Sequence, residues 1–508
     1  MASSPSLRLP PAPHELYQRV RNHFPYFNPD KKNPVFFENA GGSQLPLTVI
    51  EAVREHMLDH YVQLGAGYEL SNRATSTVDA AHDIIKTFLN VGETGEVVLA
   101  GSTSVLLASA ADAYRRSGVI RSGDEIIVQV TCHEANAGPW VRLAEDVGAT
   151  VKWWGVNSEP PHTSSFEELE NLLTDRTKLV AVTHVSNLLG EILDVRSVVR
   201  TVRESPAGAQ ARIVVDGVAY APHRAADVSA WGVDWYAFSV YKTWGPHVAA
   251  LYGSHVAFRE LEGFGPNHYW IDGADVPYKF ELGGPSHEAC AGILGLAQYI
   301  SAVARESIGL ERGAECGFSN AEDPQGVRSS GETSTSGRAE QASKRNGIAP
   351  LNSNGPGSNA EEQNAPNGVD LASVAVGKLD VARKRGLLRR SDVETFYRTV
   401  VRMEQAPQEK LLKFLLSKPE LTVVGPATWQ SDVRVPTVSF VHRSRTSADV
   451  TRTLHKAGFA MRHGHMYSRR LLESLKYENV DDGVIRLSLL YYNTPEEVDT
   501  LIGYMDDI

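Results

Sequence analysis

From Val35 to about Ser301 the chain repeats one pattern: a short apolar, β-branched run closed by turn residues, then a longer amphipathic stretch. A short run apolar on both faces suits a strand covered on both sides, which requires helices above and below a mostly parallel sheet. The candidate strands are Glu96–Leu99, Glu125–Val130, Thr150–Gly155, Lys178–Thr183, Arg212–Val215, Trp235–Ser239 and Val248–Tyr252. Among the intervening helices, Phe166–Leu173 shows its own start, because Ser164 stands three residues before Glu167 as in a capping box. The alternation predicts an α/β fold built on a doubly wound sheet, with its ligand at the C-terminal ends of the strands.

Near Gly309 the pattern collapses into a stretch rich in Ser, Gly, Asn, Glu and Pro that runs to about Asp370. Such a composition buries too little to offset the entropy of ordering the chain, so 309–370 reads as a disordered insertion. Helical patterning resumes from Ser373. The last hundred residues alternate again, with strands at Leu421–Val424, Val435–Val441 and Val484–Leu489, a helix at Ser447–Ala457 and a terminal helix from Pro495. The organisation expected is therefore a leader at 1–34, a large domain at 35–308, the insertion at 309–370 and a smaller α/β domain at 371–508. The leader, MASSPSLRLPPAPHEL, is Pro-rich and lacks an apolar core of signal-peptide length, so it reads as a floppy segment on a soluble, cytoplasmic protein.

The 508 residues carry 50 Lys+Arg against 61 Asp+Glu, a formal net charge of −11. That balance argues against nucleic acid or an anionic membrane as partner and favours an enzyme acting on a small molecule. The three cysteines, Cys132, Cys290 and Cys316, lie far apart without metal-ligand spacing, so no metal site is expected.

Three features carry chemistry. Arg212–Asp216, RIVVD, ends an apolar strand in a carboxylate; alone, an aspartate there is more often a turn residue. Ser239-Val240-Tyr241-Lys242 ends the next strand in a lysine ahead of a Gly-Pro turn, and a buried lysine is costly unless it is neutralised or used. Asp216 and Lys242 are 26 positions apart, about one strand-helix-strand unit, so their side chains can converge. Pyridoxal phosphate needs such a pair, an amine to form an imine and a carboxylate to keep the pyridine nitrogen protonated. Third, Gly101-Ser102-Thr103-Ser104 precedes the helical run Val105–Arg115, placing hydroxyls and free N–H groups where a phosphate can sit.

In this order the chain also carries FFENAGGSQLP from Phe36, Thr131-Cys132-His133-Glu134-Ala135-Asn136, His184-Val185-Ser186-Asn187, FELGGPSHE from Phe280 and RLSLLYYNTPEEVD from Arg486. Together these motifs resemble the class V aminotransferase, or cysteine desulfurase-like, family of fold-type I pyridoxal 5'-phosphate enzymes. The resemblance implies that Lys242 forms the Schiff base, Asp216 pairs with the pyridinium nitrogen and His133 stacks on the ring. It further implies that Asn187 contacts the ring hydroxyl, that Ser102, Thr103 and Ser239 hold the phosphate, and that Arg486, assisted by Arg462, grips the substrate's α-carboxylate. A homodimer is implied as well.

The chain departs from the desulfurase pattern at several positions. The segment Met461–Tyr467 has Tyr467 near the place of the sulfur-accepting cysteine, and no cysteine follows Cys316. Tyr241 replaces a usual His, Ala219 a frequent Gln, and Gly284 a Thr that in relatives reaches the partner subunit's phosphate. A tyrosine hydroxyl cannot carry a persulfide, so specialised biosynthesis is a better expectation than housekeeping sulfur donation. The leading expectation is a lyase-type reaction at the β position of a small amino acid, either C–S cleavage or β-decarboxylation, with Tyr241, His463, His465 and Tyr467 around the β side. Aminotransfer or epimerisation on the same cofactor is the first alternative, and a non-catalytic binding protein of the same fold the second.

Overall fold

The apolar runs assemble into one seven-stranded sheet in the computed structural model, which describes residues 12–318 and 388–506. Its strands are β1 (Gly95–Ala100), β2 (Glu125–Gln129), β3 (Thr150–Trp154), β4 (Thr177–Thr183), β5 (Arg212–Asp216), β6 (Trp235–Ser239) and β7 (Ala249–Ser254). They lie in the order β1-β7-β6-β5-β4-β2-β3. All neighbours are parallel except β7, which runs antiparallel to both β1 and β6. The nine residues Val240–Val248 between β6 and β7 are too few for the crossover helix a parallel return would need. Strands β2, β5 and β6 are buried almost throughout, as the apolar residues at their centres required.

Helices α1 (Glu69–Leu89), α2 (Thr103–Ser117) and α3 (Glu134–Val147) flank this sheet. Leu106, Leu107 and Tyr114 of α2 and Trp140 and Leu143 of α3 close a core against Ile126, Val128, Leu179, Val214 and Trp235. The expected capping box at Phe166 is shifted by one residue. Ser165, not Ser164, accepts from the Glu168 N–H, because Ser164 is buried and takes a hydrogen bond from Gln129 Nε2.

The C-terminal sheet contains β8 (Leu421–Val424), β9 (Thr437–His442), β10 (Arg462–Gly464) and β11 (Val484–Ser488) in the antiparallel order β10-β11-β9-β8. Helices α4 (His287–Phe318), α5 (Arg390–Ser417), α6 (Ser447–Lys456) and α7 (Pro495–Met505) complete the set used below. Leu411 and Leu415 of α5, Leu454 of α6 and Leu501 of α7 bury the apolar face of this sheet. Thr494 and Glu497 make a reciprocal capping box at the start of α7.

Two expected boundaries move. Residues 12–34 are not a floppy leader: the helix His14–Asn22 buries Leu16, Tyr17 and Val20, whose i, i+1, i+4 spacing makes one apolar face. Tyr17 donates to the Met403 carbonyl, Arg21 pairs with Glu497 and His23 with Glu306. Val35–Phe36 then pairs in parallel with Phe459–Ala460, and Phe37 enters the C-terminal core, so the chain joins the large sheet only after this excursion. At the other boundary, α4 runs on past Gly309 to Phe318. The remainder of the Ser/Gly/Asn-rich stretch and the resumption at Ser373 lie outside the described residues. Among the described residues no helix is long and apolar enough to cross a membrane.

Candidate active site

Strands β1, β4, β5 and β6 and the segment after β2 all release their chains at the same edge of the sheet, and a cavity of about 470 Å³ opens there. The nine residues singled out from the sequence, Ser102, Thr103, His133, Asn187, Asp216, Ser239, Lys242, Arg462 and Arg486, all line it.

Asp216 is the last residue of β5 and 4% exposed. Its Oδ1 accepts from the Val218 N–H at 2.9 Å. Burial raises the Asp216 carboxyl above the ordinary aspartate range, while that N–H and the nearby Lys242 pull it back. Lys242 ends a single 3₁₀ turn, Val240–Lys242, directly after β6. The turn is closed by Thr243 Oγ1 bonding the Val240 carbonyl at 2.9 Å and by Gly245, where any Cβ would overlap Val240. Ser43 pins it from outside: its N–H and hydroxyl both donate to the Tyr241 carbonyl, and its Oγ accepts from the Trp244 N–H. This gives the Gly-Gly-Ser-Gln motif a physical role.

Desolvation, reinforced by Arg486, lowers the Lys242 ammonium to about 8 from an ordinary 10.5, against the opposing pull of Asp216 and Glu38. Roughly a quarter of such amines are unprotonated at pH 7.5, against roughly 0.1% for an ordinary lysine. In cofactor-free protein, labelling of Lys242 by an amine-directed reagent, read by mass spectrometry against pH, should therefore rise with a midpoint near pH 8. The sign for stability follows. Between pH 8 and 10.5 the unfolded chain holds a proton that the folded chain has released, so the burdened ammonium destabilises the fold below pH 8 and the burden fades as pH rises. Its size is at most about 3 kcal/mol, reduced by water in the cavity.

His133 caps α3, its Nδ1 accepting from the Ala135 N–H at 3.0 Å, and burial with Lys242 and Arg486 nearby lowers it to about 4. It is thus a neutral ring at physiological pH, able to lie against another aromatic ring. Ser102 caps α2 by accepting from the Val105 N–H, and Thr103 Oγ1 lies 2.8 Å from Ser239 Oγ, joining the ends of β1 and β6. Two hydroxyls and the open first turn of a 15-residue helix make a site for a phosphate.

Asn187 is more committed than expected. Its Nδ2 donates to the Met466 carbonyl at 3.0 Å and its Oδ1 accepts from Ser468 at 2.7 Å, so any contact to a ring hydroxyl falls to the second amide hydrogen. These bonds hold a loop in which Met466 and Tyr467 both have positive φ, a conformation that costs non-glycine residues of order 1 kcal/mol each. Tyr467 lies at the cavity rim with its ring 5.3 Å from His133. Tyr241 also lines the cavity, stacked on His247, whereas His463 and His465 are absent from the lining. His465 acts on the loop instead, its Nδ1 accepting from the Tyr467 N–H.

Arg486 of β11 is 2% exposed, and burial lowers its guanidinium to about 10. Its Nη1 reaches the Asn187 carbonyl at 3.3 Å and its Nη2 the Glu38 carboxylate at 3.5 Å, while Nε is buried without a partner. A desolvated fork with such long and missing contacts has capacity for a carboxylate. Arg462 is half exposed and binds Glu38 through Nε at 2.9 Å. Glu38 is the residue that sequence reasoning missed; its only signal was its place inside FFENAGGSQLP.

The residues present suit pyridoxal phosphate. An amine and a carboxylate face the same cavity from adjacent strands, a neutral imidazole offers a flat face, and a helix start with two hydroxyls offers an anion site.

Comparisons with known proteins agree. The family model for aminotransferase class-V matches residues 35–341 and 394–501. The aminotransferase-like protein FGM3 of Gibberella zeae is 31% identical over 490 residues, covering 96% of each chain. The cysteine desulfurase-like protein ustD of Aspergillus flavus is 25% identical over 502 residues, 97% of this chain and 90% of its own. Among solved structures, the apo cysteine desulfurase from Thermococcus onnurineus NA1 superposes with a TM-score of 0.68 at 20% identity, over 96% of this chain and 97% of its own. That likeness is one of fold, and it is the fold-type I architecture. The chain belongs to the class-V aminotransferases, the pyridoxal phosphate-dependent family that includes the cysteine desulfurases.

Proposed function

We propose that this protein catalyses a lyase-type reaction at the β position of a small amino acid, either C–S cleavage or β-decarboxylation. The observation that carries this reading is the convergence of a desolvated amine, Lys242, a buried carboxylate, Asp216, and an under-bonded guanidinium, Arg486, on one cavity whose rim carries Tyr467.

When bound, pyridoxal phosphate supplies a place for the electron pair released at the amino acid's Cα. Each residue then has a task set by its surroundings. Lys242, with its lowered proton affinity, would take the Cα proton. Asp216 would hold the proton of the ring nitrogen, His133 would offer its flat face to the ring, and Ser102, Thr103 and Ser239 would hold the phosphate. Arg486 fixes the α-carboxylate as a two-pronged donor. Tyr467 has no sulfur, so a leaving group at Cβ is released to solution rather than captured on the chain.

The same reading places the enzyme in the cytoplasm as a homodimer. Leu58, Tyr61, Tyr269, Trp270 and Leu282 leave large apolar side chains more than 60% exposed, and covering such side chains with a second copy would remove apolar area from water.

The test is to incubate the cofactor-loaded protein with cysteine, with an S-substituted cysteine and with aspartate. Sulfide or thiol release supports C–S cleavage, and alanine with carbon dioxide supports β-decarboxylation. A new amino acid formed only when a 2-oxo acid is supplied replaces this reading by aminotransfer.

A further inference from the structure

Arg462 on β10 and Arg486 on β11 are direct cross-strand partners, an arrangement of like charges that destabilises a sheet unless something lies between them. What lies between them is Glu38, with Oε1 at 2.9 Å from Arg462 Nε and 3.5 Å from Arg486 Nη2. Gly41 leaves room for it, since a Cβ there would overlap the Glu38 carboxylate in its present position. The two arginines do not share it equally. Arg462 holds the short bond and is half exposed, whereas Arg486 is buried, keeps only long contacts and has an orphaned Nε.

From this juxtaposition we infer that Glu38 is a specificity residue: by neutralising Arg462 it leaves Arg486 as the single carboxylate anchor and selects amino acids with an uncharged side chain. Within this trio of groups the charge count closes on one carboxylate. Two guanidinium groups against one internal carboxylate leave one positive charge, which the substrate's α-carboxylate matches. A second acidic group on the side chain would meet Glu38 across an already neutral pair, and like charges in a confined, poorly solvated site repel strongly. The inference rests on the β-lyase reading and narrows it, favouring cleavage at an uncharged β substituent over removal of a β-carboxylate.

The experiment titrates cofactor-loaded protein with L-alanine and with L-aspartate, following the visible spectrum to obtain each half-saturation concentration. Wild type should favour alanine by at least about 10-fold. Glu38→Gln should reduce that preference about 10-fold by freeing Arg462 for the second carboxylate. Arg462→Gln should increase it, because Glu38 then stands unneutralised. A loosened pocket would shift both variants the same way, so parallel shifts, unchanged ratios or a wild-type preference for aspartate would overturn the inference. If neither these amino acids nor cysteine and an S-substituted cysteine alter the spectrum, the β-lyase reading fails. The cofactor-free Lys242 titration then decides on Glu38 alone: its midpoint should fall in Glu38→Gln and rise in Arg462→Gln, and a midpoint unmoved in both overturns the role.

Discussion

A Lys242→Ala protein supplied with pyridoxal phosphate is expected to lack the yellow imine band and to turn over amino acids at least about 10³-fold more slowly than wild type. Lys242 is the single lysine that lines the cavity among the described residues. Lys279, also buried, commits its ammonium to the carbonyls of Asn267 and His268 and lies elsewhere. The substitution should leave the fold intact, since it removes a desolvated amine at a cavity wall rather than a packed core group. Absorbance, turnover and melting temperature measured on one preparation separate the cases. A persistent imine band in a folded variant would show that another amine carries the cofactor.

Asp216→Asn should lower kcat by about two to three orders of magnitude while the imine band survives. The replacement keeps shape, and its carbonyl oxygen can still accept the Val218 N–H, so β5 should end as it does now. What disappears is the negative charge that, on the proposed reading, would hold a proton on the ring nitrogen, and with it the capacity to take up electrons from Cα. Steady-state kinetics with a spectral titration of cofactor affinity check this. An unchanged kcat would remove Asp216 from the chemistry.

The large sheet was legible because its inner strands are buried on both faces, so composition alone marks them; Trp235–Ser239 coincides residue for residue with the expected strand. The C-terminal ends of those strands were equally legible, which is why Asp216, Lys242 and the Ser102-Thr103 turn fell in one cavity. What escaped depends on partners remote in the chain. Glu38 meets Arg486 across 448 positions, and no local period announces such a pair. The direction of β7 was readable in principle from the short link after Lys242. The helix at 14–22 showed its apolar spacing, but three prolines just before it masked the signal. Strand β10 has only three residues, too few for any periodicity to show.

The N-terminal helix touches α5 through Tyr17, and α7 through Arg21, while His23 just beyond it reaches α4. Residues 14–23 thus tie three helices together. Two of these joints bind the segment to helices that cover the C-terminal sheet, and the third, His23–Glu306, would have to break for that sheet to move away from α4. At the cavity rim the Asn187 and His465 bonds do the corresponding work on a smaller scale, holding Met466 and Tyr467 in backbone conformations that neither residue would adopt unaided.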